Sequence, residues 1–362
     1  MRISQKAFLS IMFNFLKNEL LRKIPLTGSA ALYGPSPLID LKITLRCNLK
    51  CLQCPVWQVQ TADELSTSSW EKIFLEIKEY VGPYFLRFYG GEPFCRRDLF
   101  ELINFCSSHG IHSLITTNGT FIDKEVAHQL IREKVLLINI SIDGARPETH
   151  DRLRGVRGTF DKAMRAIENL QGKIPLQINT TIMEDNLDEI IELSLLARRH
   201  KVEISFQGLA NFAMSGADSY RLETGKNNLF PEREDKALFV IDELIQRKKD
   251  NKFIVNTVEQ LNLLKRYYKC SIKEKRDNCG AIRNNHLMIK EKGDVFICSL
   301  SKPIGNLTYR SLRDIWHSKE KVQVLDEMKM CTIDSCLVMR GYAKEDPRGI
   351  WRKVKRYILD MP

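Results

Sequence analysis

Residues 44–55 read Thr-Leu-Arg-Cys-Asn-Leu-Lys-Cys-Leu-Gln-Cys-Pro, which places Cys47, Cys51 and Cys54 in a C-x3-C-x2-C pattern. The apolar run over 38–45 just before them predicts a β-strand. Three thiolates on one short loop can hold a cuboidal iron–sulfur cluster at three of its four irons, leaving the fourth open to a substrate or cofactor. The competing reading is a zinc knuckle. Structural zinc sites usually arrive as two CxxC-like pairs that close a tetrahedron, and a triplet fits that poorly.

Outward from this loop, strand-like and helix-like segments alternate. Strands are expected at 84–89, 112–117, 136–142, 175–182 and 202–207. Helices are expected at 68–81, where Ser68-x-x-Glu71 reads as a capping box, and at 97–107, 123–133, 159–170 and 187–200. Six strands with helices between them imply a parallel α/β sheet, open or closed as a partial barrel. Cys47, Gly90-Gly91-Glu92, Thr117-Asn118-Gly119 and Ser141-x-Asp143-Gly144 each fall at the C-terminal end of a strand. That end carries the chemistry in parallel α/β folds, so the four clusters should converge on one rim. Beyond an irregular stretch from 211, helices are expected at 234–249 and 258–268.

The chain has 362 residues, 43% hydrophobic and 28% charged, ordinary values for a soluble globular protein with one large and one smaller domain. A net charge of +11 is compatible with anionic partners or with a plain basic surface. The ten cysteines are clustered, with Cys279, Cys298, Cys331 and Cys336 as a second group. Clustered thiols without a secretion signal read as metal ligands in a reducing cytoplasm. Residues 7–16 are apolar, but Lys17, Glu19, Arg22 and Lys23 follow too closely for a signal peptide or a membrane span of ~18 residues. An amphipathic helix is expected there, packed on the domain or resting on a membrane surface. The basic, amphipathic stretch 349–359 has the same character.

The cysteine triplet followed one strand later by Gly90-Gly91-Glu92-Pro93 resembles the radical S-adenosylmethionine (SAM) superfamily. Ser141-Ile142-Asp143-Gly144 and His150-Asp151-x-x-Arg154-Gly155-x-x-Gly158-Thr159-Phe160 resemble its branch with SPASM or twitch auxiliary-cluster domains. An aromatic often precedes the third cysteine in that family; here it is Gln53. The resemblance implies a partial (β/α)6 TIM-like barrel with a C-terminal twitch-like iron–sulfur domain. It divides the chain into an N-terminal helix and connector (1–36), a radical SAM core (37–210), a helical bridge (211–268), the auxiliary-cluster domain (269–340) and a basic C-terminal helix (341–362). It implies a [4Fe-4S] cluster with an open iron on Cys47, Cys51 and Cys54. SAM would contact Gly90, Gly91, Glu92, Thr117, Asn118, Ser141 and Arg154, with glycines letting backbone approach the ligand and Glu92 accepting from the methionine ammonium. No catalytic acid or base is assigned.

Cys279-x13-Gly293-x4-Cys298, with a hairpin turning at 292–294, resembles the opening of a SPASM or twitch domain, as do Gly305-Asn306-Leu307 and Ile315-Trp316. With Cys331 and Cys336 it supplies four thiolates, enough to close a second [4Fe-4S] cluster suited to electron transfer; structural zinc is the alternative, and Cys270 is a spare ligand. Cys95 reads as a pocket or buried thiol, Cys106 as core, Trp57 as a cofactor wall or packing residue, and Asp143 as a substrate partner or loop-shaping residue. The expected activity is reductive cleavage of SAM to a 5′-deoxyadenosyl radical that abstracts hydrogen from a peptide or protein, for oxidation or crosslinking. Alternatives are the same chemistry on a small molecule, glycan or lipid precursor, or a non-enzymatic zinc or nucleic-acid-binding protein. Expected partners are a one-electron reductant such as flavodoxin or ferredoxin and, peripherally, the inner membrane face; nucleic acid is not expected.

Overall fold

The computed structural model describes residues 34–59, 63–209, 212–213, 220–221, 229–269 and 279–331. The expected terminal helices at 7–16 and 349–359, Cys270 and Cys336 lie outside these residues.

The elements run β1 (Leu38–Thr44), α1 (Thr67–Val81), β2 (Phe85–Gly90), α2 (Leu99–Ser108), β3 (His112–Thr117), α3 (Lys124–Arg132), β4 (Leu137–Ser141), α4 (Pro147–Arg154), α5 (Thr159–Leu170), β5 (Leu176–Ile182), α6 (Ile190–Arg199) and β6 (Glu203–Gly208). The short strands β7 (Phe212–Ala213) and β8 (Tyr220–Arg221), α7 (Glu234–Arg247), α8 (Val258–Tyr268), α9 (Gly280–Arg283), β9 (Leu287–Ile289), β10 (Asp294–Phe296), β11 (Gly305–Asn306), α10 (Leu312–Trp316) and α11 (Lys319–Lys329) follow. Strands β1 to β6 pair in chain order and all in parallel, which is the partial (β/α)6 barrel. On the far side of β1 the sheet continues: β9 pairs with it in parallel, then β10 and β11 turn back antiparallel.

Alternation within the strands divides the sheet into two faces. Ile39, Leu41 and Ile43 of β1, Leu86 and Phe88 of β2, and Ile138 and Ile140 of β4 are fully buried against Trp70, Phe74 and Ile77 of α1 and the apolar faces of the later helices. Each such side chain contributes about 1.5–3 kcal/mol by leaving water. The opposite, inner face is polar. One row across it carries Lys42 beside Tyr89, and Thr116, Asn139, Gln177 and Glu203 side by side.

Two local expectations are corrected. The cap of α1 is Ser66, whose hydroxyl accepts from the Ser69 amide, so Ser68 and Glu71 both lie inside the helix and form no capping box. Ser66 has the extended backbone that a cap requires. Helix α4 was not foreseen, because its buried face is His150, Leu153 and Arg154 and lacks an apolar period. Pro147 at its start and the left-handed Gly155 after its end are the signals that mark it.

The outer edge of the sheet at β6 is covered. Ile204 N–H donates to Phe253 O at 2.8 Å, and the Asn256 amide both accepts from Phe206 N–H and donates to Phe206 O at 2.8 Å, mimicking a strand. Asn256→Ala strands both Phe206 groups in a buried setting and is expected to lower stability by about 1–3 kcal/mol, measured by urea unfolding.

Candidate cluster and cofactor site

The cysteine loop is gripped from two sides by backbone. On the β2 side, Gly91 N–H donates to Thr44 O and Glu92 N–H to Arg46 O, both at 2.8 Å. A Cβ on Gly91 would stand 2.2 Å from Arg46 O and 2.6 Å from Leu45 O. On the α4 side, Lys50 N–H donates to Arg154 O at 3.2 Å and Leu52 N–H to Leu153 O at 3.0 Å. Gly155 adopts φ +69°, and a Cβ there would stand 2.3 Å from Lys50 O. The glycines thus make room for the loop's own backbone, a closer reason for them than approach of a ligand. Asn118 adds a third hold, its amide donating to Asn48 Oδ1 at 2.9 Å.

Within this grip Cys51 is buried and Cys47 and Cys54 are half-buried. Burial, together with the charge of Cys51, Glu92 and Cys54, outweighs the Leu49 amide and pushes the Cys47 thiol up to about 12. Burial also raises Cys54. Three thiolates so placed repel one another, and a multinuclear metal cation removes that penalty. Among the described residues no three His, Cys, Asp or Glu side chains close tightly enough to hold a single ion. A cuboidal cluster takes each thiolate at a separate iron and needs no such closeness.

Two buried polar atoms beside the thiols lack partners. Arg154 pairs with Asp143 at 2.7 Å and points Nη1 at Cys51 Sγ, 3.8 Å away, yet its Nε is unsatisfied. Gln53 Nε2 donates to the same Asp143 carboxylate at 2.9 Å, and its Oε1 is unsatisfied. Asp143 also accepts from Thr181 N–H at 2.9 Å, so it both shapes its loop and holds Arg154. Unmet polar groups next to a thiol cradle fit a bound polar cofactor.

Glu92 is fully buried. Oε1 accepts from the Thr117 hydroxyl at 2.7 Å and from Phe94 N–H at 3.3 Å, and Oε2 from Asn118 N–H at 2.8 Å. Burial outweighs these donors and the more distant Arg154, and raises the carboxyl to about 7. A carboxylate held this way gains strongly from an ammonium partner. Thr117 and Asn118, expected at the cofactor, are therefore brought to Glu92 itself. Ser141 ends β4 beside Asn179, on the same rim.

In the second group, Cys279 caps α9, Cys298 follows β10 and Cys331 follows α11. Burial raises the Cys298 thiol to about 11, with the charges of Cys279 and Cys331 adding to it. Cys106 is core, Cys95 half-buried, and Trp57 is 36% exposed with Lys50 over its ring at 6.0 Å. Sequence reading missed the Asp143–Arg154–Gln53 contacts and the charges on the inner face of β1. The latter had a signal: Asp40 and Lys42 interrupt an apolar run at alternate positions.

Residues 41–197 match the family model of the radical SAM superfamily, and residues 279–337 that of the SPASM iron–sulfur cluster-binding domain. Fold, thiol loop and family models agree on the class: a SAM-dependent radical core joined to an auxiliary-cluster module. The chain belongs to the radical SAM superfamily, in its SPASM/twitch branch. It is 37% identical over 164 residues to an AdoMet-dependent heme synthase of Methanosarcina barkeri, covering 44% of this chain and 47% of that one, so it spans about half the length of that relative. It is 26% identical over 287 residues to the PqqA peptide cyclase of Rhizobium meliloti, covering 76% and 72%. Streptococcus suis SuiB bound to its precursor peptide SuiA has the same fold at TM-score 0.59 and 18% identity, covering 86% of this chain and 77% of that one. Among the described residues no helix is long and apolar enough to cross a membrane.

Gly91→Ala should displace the loop backbone and cut iron incorporation at the first site by more than half, read as iron per chain and absorbance near 400 nm. Gly34→Ala, with nothing within 4 Å of the new Cβ, should incorporate iron as the wild type does.

Proposed function

We propose that this chain is a radical SAM enzyme that abstracts hydrogen from a peptide or protein substrate for oxidation or crosslinking. The observation that carries the radical SAM part is the caged Glu92 carboxylate next to the gripped cysteine loop. In this reading Cys47, Cys51 and Cys54 hold a [4Fe-4S] cluster with one open iron. When bound, the cluster supplies the electron that cleaves SAM to methionine and a 5′-deoxyadenosyl radical. Glu92 takes the methionine ammonium, and Thr117 and Asn118 keep Glu92 aimed. Arg154, tied to Asp143, offers its remaining N–H beside Cys51. Ser141 and Gly90 complete the rim on which SAM lies.

Cys279, Cys298, Cys331 and Cys336 would hold an auxiliary cluster, which would supply an acceptor for the electron that the substrate radical loses on becoming the oxidised product. The peptide reading is supported by the relative matched over most of this chain, a peptide cyclase, and by SuiB's precursor peptide. A porphyrin-like small molecule is the second reading, favoured by the higher identity to heme synthases over a shorter stretch. A small ferredoxin or flavodoxin fits as the reductant, and the basic surface leaves peripheral membrane contact open to test.

The reading is tested by anaerobic reconstitution with dithionite and SAM: 5′-deoxyadenosine should form, and its absence refutes the proposal. The wild type should carry about eight irons per chain and Cys298→Ala about four. Unchanged iron in that variant would refute the second ligand set. SAM must meet an ionised Glu92, whose acid form is populated below about 7. Affinity for SAM should therefore rise up to about tenfold per pH unit below 7 and level off above it. Glu92→Gln should bind SAM weakly with no such rise, measured by equilibrium dialysis.

A further inference from the structure

Each thiol of the first cysteine loop has an N–H donor, and the three donors differ in kind. Leu49 N–H reaches Cys47 Sγ at 3.5 Å, and Val56 N–H donates to the Cys54 thiol. Both are amides two residues further along the chain, so the loop supplies them itself. At Cys51 the donor is a guanidinium from 103 positions away, with Arg154 Nη1 standing 3.8 Å from Sγ. Arg154 is 9% exposed and Asp143 1% exposed, so solvent screens their charges little.

Both members of this pair are anchored by other elements. Arg154 O accepts from Lys50 N–H at 3.2 Å, which ties the end of α4 to the loop one residue before Cys51. Asp143 binds Arg154 Nη2 at 2.7 Å and also accepts from Thr181 N–H of β5 and from Gln53 Nε2, each at 2.9 Å. Nη1 thus serves the thiol and Nη2 the carboxylate, and one planar group touches both. A buried ion pair costs desolvation that apolar side chains of similar volume would not, so its place calls for a charge to act on. Reduction adds a negative charge to a cluster that three thiolates already make negative. A fixed cation with an N–H on one sulfur favours that reduced form.

We propose that Arg154, aimed by Asp143, sets the reduction potential of the cluster on Cys47, Cys51 and Cys54, its N–H on the Cys51 thiolate raising the potential so that a one-electron donor can fill the cluster. Asp143 is a positioning residue, and its own negative charge holds the effect in check. One electron enters the cluster, from titanium(III) in the test, and no bond forms or breaks. This deepens the enzyme reading above and rests on it for the presence of the cluster.

The test is an anaerobic redox titration of the reconstituted enzyme without SAM, poised with titanium(III) citrate and followed by EPR at the reduced-cluster signal that Cys51→Ala abolishes. Arg154→Met should lower the potential by about 59 mV or more, a tenfold change in the one-electron equilibrium. Asp143→Asn, which removes the counter-charge and keeps an acceptor for Arg154, should raise it. Arg152→Met, two residues earlier on α4 with a half-exposed side chain paired to Asp185, should leave it unchanged. A merely damaged site would shift the Arg154 and Asp143 variants the same way, so their opposite signs carry the test. If Arg154→Met takes up no iron, the Arg154→Met/Asp143→Asn double variant, which leaves no lone buried charge, replaces it and should also lie below the wild type. Potentials in any other order, or no iron in either variant lacking Arg154, would overturn the role. 5′-Deoxyadenosine formation by the wild type is read separately. Its absence with the potentials ordered as stated sinks the enzyme reading and spares the tuning, and its formation with unmoved potentials sinks the tuning alone.

Discussion

Everything at this site depends on backbone touching backbone across the cysteine loop. Thr44 O and Arg46 O receive the amides of Gly91 and Glu92, and Lys50 and Leu52 donate into the end of α4. There is no room for a side chain at Gly91 or Gly155, whose Cβ atoms would lie well inside contact distance of loop carbonyls. A three-ligand loop has no fourth protein ligand to close it, so its shape must come from its neighbours. Those neighbours are the ends of β2 and α4, which the parallel sheet brings to the same rim.

The same grip sets the electrostatics. Holding the loop against the GGE turn places Glu92 in a dry pocket, where three donors satisfy it without supplying a full positive charge. Holding it against α4 places Arg154 and its partner Asp143 next to Cys51. A carboxylate and a guanidinium therefore both stand near the thiols, the latter with its Nε unsatisfied. A ligand bearing both an ammonium and a carboxylate matches that arrangement.

The auxiliary module is attached through the sheet. Strand β9 extends the barrel beyond β1, so the seam between the two regions is a row of hydrogen bonds bearing buried Lys42 and Lys290 on one face and buried Leu41 and Ile289 on the other. A seam of this kind fixes the module's hairpin relative to the radical loop, which begins three residues after β1 ends.

The alternation of strands and helices through the barrel, the parallel sheet and the placing of the motifs at strand ends were readable in the chain, because each is a local pattern of period, spacing or turn chemistry. Helix α4 escaped, since polar side chains make its buried face, and Ser66 displaced the expected cap because two hydroxyls two residues apart compete for one role. What only the tertiary structure decided is which groups meet. Gln53 reaches Asp143 across 90 positions, Arg154 reaches Cys51 across 103, and Lys42 comes to face Lys290. The sequence by itself determined the kind of chemistry, since thiol spacing and glycine turns act over a few residues. The fold decided where charge is buried, because the cost of a charge depends on neighbours that no local pattern specifies.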